Sequence, residues 1–263
     1  MEVLGYAASV IMGLSLGLIG GGGSILTVPI LVYLFGVDPV LATAYSLFVV
    51  GLTSLIGSFS HFRAGNVRLK TALVFGLPSI AAVYAVRKFA VPHIPDPVFQ
   101  AGQVEVAKGT LLMLLFALLM LGASYSMIRP GRPGRERAGN KQNYPLIFAE
   151  GLLVGGLTGL VGAGGGFLII PALVLLAGLP MKQAVGTSLV IIALKSLIGF
   201  TGDLGAGQPI DYGFMLLFSA FSIAGILAGS YLSRFISNEK LKPAFGWFVL
   251  VMGAYIVIKE VFF

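Results

Sequence analysis

Apolar runs of helix length, parted by short charged or turn-forming stretches, divide the 263-residue chain into ten segments. The first five are Val3–Gly20, Ser24–Phe35, Pro39–Phe59, Thr71–Ala85 and Lys108–Met127. The second five are Pro145–Val161, Gly166–Ala177, Met181–Thr201, Tyr212–Leu232 and Ala244–Val261. Most approach the 20 or so residues that cross a hydrocarbon layer of about 30 Å. Ser24–Phe35 and Gly166–Ala177 do not, because about 12 residues rise only about 18 Å. Each short segment follows a cluster of glycines, so the pattern predicts a hairpin that enters a membrane, breaks at the glycines and returns. Three spanning helices then follow in each set. Non-helical backbone is not tolerated against lipid, so each break must be covered by protein or line a watery cavity.

The two sets are copies. Gly17–Phe35 (GLIGGGGSILTVPILVYLF) and Gly159–Ala177 (GLVGAGGGFLIIPALVLLA) align without a gap at an offset of 142. About 19 of the 41 residue pairs counted from Gly17 to Gly57 are identical, which marks an internal repeat. The predicted organisation is a first repeat over 1–128, a basic linker over 129–144 and a second repeat over 145–263. An odd number of crossings per repeat would invert the second relative to the first.

Composition fixes the solvent. Apolar residues make up 57% of the chain, charged residues 10%, and the mean hydropathy is +0.97, which excludes a water-soluble domain of this size. Alternating ten-residue strands are absent from the pattern, so an all-α polytopic membrane protein is expected rather than a barrel. The net charge of +7 would suggest nucleic acid in a soluble protein; here it reads as membrane topology, with the lipid bilayer as the partner. Arg129, Arg132, Arg135, Arg137 and Lys141 place the linker in the cytoplasm, and Arg63, Arg68 and Lys70 place the loop 61–70 beside it. The equivalent loop 202–211 holds Asp203 and Asp211 without a basic residue, as expected of the opposite face. Arg87 and Lys88, on a loop assigned outside, run against this bias. No cysteine is present and there are two histidines, which gives no metal site and no cofactor.

Three features carry candidate chemistry, and a fourth observation excludes some. The first is the pair of breaks, Gly21, Gly22, Gly23 with Ser24, and Gly164, Gly165, Gly166. Glycines leave N–H groups uncovered, and a following helix turns its positive end toward the gap, an outline of an anion site; close helix packing is the alternative. The second is Lys195, the one charge between Lys182 and Asp203, which belongs at membrane depth, facing a cavity or snorkelling to the surface. Thr187 and Ser188 share its helical face, and Ser46 and Thr53 occupy matched positions in the first repeat, Thr53 standing where the second repeat has Lys195. The third is His61 and Asp203, matched helix ends that would serve as proton relays or as interfacial caps. The fourth is negative: nothing matches a phosphate or dinucleotide loop, and no nucleophile, base and orienting group converge, so no enzyme is expected.

The duplicated apolar-glycine-apolar-proline segment, followed by Ala42–Leu47 and by Ala184–Leu189 (AVGTSL), resembles the TauE/SafE sulfite exporter family, also called the TSUP transporters. The resemblance covers essentially the whole chain. It implies a secondary transporter of the bacterial cytoplasmic membrane for sulfur-containing anions such as sulfite, sulfoacetate or other organosulfonates, usually moved outward. A thiosulfate-importing branch of that family relies on cysteines, and this chain has none. Two glycine breaks that enter from opposite faces would meet near the midplane, where inverted-repeat transporters hold substrate, and alternating access of one repeat against the other is the expected mechanism. A passive anion channel and a non-transporting scaffold are the rival readings, and a homo-oligomer is compatible with each.

Overall fold

A computed structural model describes residues 2–101, 104–128, 144–175, 177–204, 209–233 and 238–262. The linker, apart from Tyr144, lies outside the described residues, and so does the middle of the loop 202–211.

In chain order the elements are α1 (Glu2–Ile19), a 3-10 turn over Gly21–Leu26, α2 (Thr27–Tyr33), α3 (Pro39–Arg63) and α4 (Leu69–Ala85). Helix α4 runs through a π turn, Val86–Ala90, into α5 (Val91–His93), and a two-strand ribbon follows, β1 (Phe99–Ala101) and β2 (Val104–Val106). The remainder is α6 (Lys108–Ile128), α7 (Tyr144–Val161), α8 (Gly166–Leu175), α9 (Met181–Thr201), α10 (Tyr212–Leu232) and α11 (Asn238–Phe262). The ribbon is antiparallel, Phe99 facing Val106 and Ala101 facing Val104. The stretch 86–107, expected as a loop, is thus partly helix and partly ribbon, and the fold departs from purely helical there.

Seven described helices are long and apolar enough to cross a membrane: α1, α3, α4 with its continuation, α6, α7, α9 and α10. Helices α1 and α7, expected as first limbs of hairpins, have 18 residues each and meet that criterion themselves. Large apolar side chains stand exposed around the molecule, among them Ile11, Leu77, Leu118, Leu153, Leu217 and Val251, each on a different helix. Such a surface suits hydrocarbon rather than water.

Helices α3 and α9 form the centre. Of their apolar windows 67% and 72% is buried, against 33–44% in the other five spans. Asp38 starts α3, its carboxylate accepting from the N–H groups of Val40 and Leu41 at 2.9 and 3.1 Å, with Pro39 in the first turn. The two central helices run antiparallel: a Cβ on Gly51 would lie 2.8 Å from Leu197 Cγ, and one on Gly57 would reach Leu189 at 3.9 Å. Around them the contacts come in exchanged pairs. Helix α1 packs on α10 as α7 packs on α4, α4 packs on α9 as α10 packs on α3, and α6 packs on α11. Shifting by 142 residues carries α1 onto α7, α3 onto α9 and α4 onto α10, so each of the first four contacts becomes its partner.

Small residues make these seams. In α1, a Cβ on Gly17 would lie 2.6 Å from Ile226 O and from Ser230 N of α10, and in α7 one on Gly155 would meet Ser79 of α4 at 2.5 Å. Backbone thus touches backbone, the main source of helix association where no hydrophobic effect operates.

The two breaks meet in the same way. A Cβ on either Gly21 or Gly166 would collide with backbone atoms of the other. Gly166→Val is therefore expected to destabilise the protein by about 3 kcal/mol or more, since backbone cannot step aside as a side chain can. Gly122→Ala, whose Cβ would meet nothing, should stay within about 0.5 kcal/mol of the parent. Thermal unfolding in detergent, both variants beside the parent, checks this.

Candidate functional site: the glycine crossing and its buried cations

The breaks are built differently although they align. In the first, Gly20 takes φ +77° and ψ −145°, a conformation open to glycine, and the chain then winds directly into the 3-10 turn. Ser24 Oγ donates to Gly21 O at 2.7 Å, and Thr27 Oγ1 to Ser24 O at 3.2 Å, so both hydroxyls are spent on the turn itself. In the second, Gly162, Gly164 and Gly165 have φ between +64° and +71°, and α8 begins at Gly166. Among the described backbone hydrogen bonds none uses the N–H of Gly164 or Gly165. These donors stand beside the start of a ten-residue helix, the arrangement that attracts anions.

Lys195 meets this second break. Its side chain is fully buried, and Nζ would lie 2.7 Å from a Cβ on Gly165. Nζ donates to Thr158 Oγ1 at 2.7 Å, and no carboxylate pairs with it among the described residues. Thr158 also donates weakly to Gly155 O, at 3.3 Å. Because α3 and α9 are antiparallel about Gly51 and Leu197, Thr53 and Lys195 fall at one level near the middle of the pair. Ser46, Thr53 and Ser54 on α3, and Ser196 on α9, are buried with hydroxyls that have no partner among the described residues. Ser46, Thr53 and Ser54 share a helical face with Val50, which touches Gly164. Unpaired hydroxyls in such a place cost roughly 1–3 kcal/mol each, so their concentration here is a chemical signal.

The structure sorts the expected residues. Gly21 and Gly166 meet, Gly164 lies by Ser24 and Val50, and Gly165 lies by Lys195; Gly22 and Gly23 belong to the 3-10 turn, where Gly23 packs on Leu16 and Ser15 of α1. Thr187 stands apart, two turns along α9, its hydroxyl accepting from the Arg68 N–H at 3.0 Å. Ser188 Oγ donates to Val185 O at 2.8 Å. His61 and Asp203 sit at opposite ends of the central pair, His61 against Gly186 of α9.

Asp203 has another partner. Arg87 Nε donates to Asp203 Oδ2 at 2.8 Å, while Nη1 donates to Thr43 Oγ1 at 2.9 Å and to Gly159 O at 3.4 Å. Arg87 is completely buried. It is therefore not a loop charge facing water, and its conflict with the loop-charge bias disappears.

A cavity of about 330 Å³ lies elsewhere, lined by Glu2, Asp38 and Asp211 with Tyr6, Tyr45 and Phe214. Three carboxylates make it a poor seat for an anion.

A family model described as sulfite exporter TauE/SafE matches residues 5–256. The chain belongs to that family. Relatives of this TauE/SafE protein span nearly their full lengths in the match. A probable membrane transporter protein of Xylella fastidiosa is 30% identical over 94% of this chain and 91% of its own. The probable membrane transporter protein YunE of Bacillus subtilis is 26% identical over 98% and 100%, and the probable membrane transporter protein MJ0441 of Methanocaldococcus jannaschii is 27% identical over 95% and 94%. No solved structure matches. The TauE/SafE chain is thus a multi-pass membrane protein of a transporter family and not an enzyme.

Sequence reasoning missed Thr158, Arg87, Thr43 and the equivalent pair Ser54 and Ser196. The serine pair had a signal, identity at the 142 offset within the central helices; the ion pair, 116 residues apart, had none. Arg87→Gln should cost this TauE/SafE protein about 3–5 kcal/mol by leaving Asp203 buried and uncompensated, and the added change Asp203→Asn should restore a large part. Melting temperatures of the two single variants and the double variant give the coupling.

Proposed function

We propose that the protein is a secondary transporter for small sulfur-containing anions, sulfite, sulfoacetate or other organosulfonates, exporting them by alternating access across the bacterial cytoplasmic membrane. One observation carries the reading: Lys195, a fully buried cation bonded to a single neutral hydroxyl. An isolated charge in such a place is costly unless an opposite charge meets it. The anion seat is then Lys195 with Thr158, the N–H groups of Gly164 and Gly165, and the unpartnered hydroxyls of Ser46, Thr53, Ser54 and Ser196. A sulfonate offers three oxygens and one negative charge to such donors. Thr187 and Ser188, bonded to Arg68 and Val185, stand about two turns along α9 from this seat. With Lys195 on one repeat and Thr53 on the other, the seat is asymmetric.

The repeats are inverted in this reading. The antiparallel passage of equivalent helices α3 and α9, and the exchanged contacts around them, support a two-fold axis lying in the membrane plane. Helix α8, about 15 Å long, and the 3-10 turn with α2 return only part of the way from breaks that α1 and α7 deliver. Lys70 Nζ lies over the Tyr144 ring at 4.6 Å from its centroid, which supports one face for the loop 61–70 and the end of the linker, the cytoplasmic face by loop charge. His61 and Asp203, at opposite ends of the central pair, are the proton-relay candidates, one for each face.

Thermal stabilisation of the purified protein by sulfite, sulfoacetate, sulfate and chloride tests the seat. A true ligand at about a hundred times its dissociation constant adds about 2.7 kcal/mol to the native state. Selective stabilisation by sulfite or sulfoacetate is expected in the parent, with loss in a folded Lys195→Ala variant. An equal response in Lys195→Ala would remove Lys195 from the seat. Counterflow of labelled sulfoacetate in vesicles, present for a carrier and absent for a pore, tests alternating access.

A further inference from the structure

Arg87 is the second buried cation, and its bonding is unfinished. The Nε and Nη2 groups of a guanidinium form one edge of its fork, the edge that takes two oxygens of an oxyanion side by side. Here Asp203 uses that edge with one oxygen, Oδ2 on Nε, and Nη2 is buried without a partner among the described residues. A full two-oxygen pairing would have satisfied both. The seat is therefore larger in donors than its present occupant fills.

The fold does not require a cation there. Under the 142-residue shift Arg87 corresponds to Gly229, Asp203 to His61, Thr43 to Val185 and Gly159 to Gly17. At that equivalent place the helices close by direct backbone contact, a Cβ on Gly17 lying 2.6 Å from Ser230 N and 2.9 Å from Gly229 C. The same packing is thus made on one side without any charge. On the other side it carries an ion pair whose desolvation its mutual attraction at best offsets.

Arg87 also lies along the backbone that leads to Lys195. Gly159 O accepts from Arg87 Nη1, and a Cβ on Gly162 would lie 2.5 Å from Thr43 Cα, whose hydroxyl accepts from the same Nη1. Gly165, three residues further on, is the glycine against Lys195. One seven-residue stretch touches both cations.

We propose that Arg87 is a second anion-binding station, for an oxyanion with at least two oxygens on one centre, and that Asp203 is a tethered competitor holding the station closed. The proposal rests on the transport reading for the anion's class, but it concerns different residues. An arriving sulfonate takes the Nε–Nη2 edge with two oxygens and displaces Oδ2, while Thr43 and Gly159 keep the guanidinium in place through Nη1. One anion is thereby exchanged for another at the Asp203 end of the central pair, and the equivalent place at the other end, with His61 and Gly229, has no such exchange to make.

Calorimetric titration with methanesulfonate of full-length protein in detergent tests this. In Lys195→Ala, Asp203 still holds Arg87 and binding is weak. In Lys195→Ala/Asp203→Asn, binding should be at least about tenfold tighter, a difference of about 1.4 kcal/mol, and adding Arg87→Gln should abolish the gain. A folded Lys195→Ala/Asp203→Asn protein with no gain overturns the station. Loss of response on Lys195→Ala alone bears only on the Lys195 seat, so the two readings fail separately. Should Lys195→Ala/Asp203→Asn, which leaves Arg87 without its carboxylate, not fold, the charge-balanced Arg87→Gln/Asp203→Asn variant is compared with the parent. The parent should then show a weaker additional binding event that the variant lacks, and identical titrations overturn the proposal.

Discussion

Everything in this protein is arranged around the contact of Gly21 with Gly166. Two chain breaks, one from each repeat, touch through backbone at the centre of the molecule, and any side chain at either position would hold them apart. The contact decides where the short helices α2 and α8 begin, which faces of α3 and α9 turn inward, and how near Lys195 comes to the Gly165 backbone. Lipid enforces the rest. Broken backbone needs protein around it, and α3 and α9 supply that cover by running antiparallel beside the crossing.

The two repeats show what duplication preserves and what it releases. Backbone geometry is held: the exchanged helix pairs and the glycine seams recur with the offset. Electrostatics is released. Lys195 has Thr53 as its equivalent and Arg87 has Gly229, so each buried cation stands in one repeat without a charged counterpart in the other. Lys195 meets the one hydroxyl of Thr158, and Arg87 meets a carboxylate. One cation is therefore uncompensated and the other is compensated from within the chain.

Much of this was legible in the sequence for physical reasons. The hydrophobic period gave the helices because lipid leaves little choice of secondary structure. Gly20 to Gly23 and Gly162 to Gly166 gave the breaks because positive φ and backbone contact both demand glycine. Lys195 stood out because a charge in a long apolar run has few explanations. Arg87 misled because local sequence makes it a loop charge beside Lys88, whereas its partner lies in the other repeat. Thr187 was expected at the substrate from its helical face, and the loop N–H that its hydroxyl accepts comes from a distant part of the chain that local sequence does not show. The ribbon at Phe99–Val106 and the full length of α1 and α7 depend on pairing and on helix ends that periodicity resolves poorly.

Thr187 has a counterpart that changes how the repeats should be compared. Its hydroxyl receives the Arg68 N–H from the loop between α3 and α4, and the hydroxyl of Tyr45 receives the Asp211 N–H, at 2.7 Å, from the loop between α9 and α10. Positions 45 and 187 are equivalent, so one task is done by a phenol in one copy and a short alcohol in the other. By identity the pair counts as a mismatch; by the bond it forms it is a match. The kinship of the halves is therefore closer than letter-by-letter alignment measures. What has been kept at this place is an oxygen at a given point in space, and the scaffold that carries it there has been free to change.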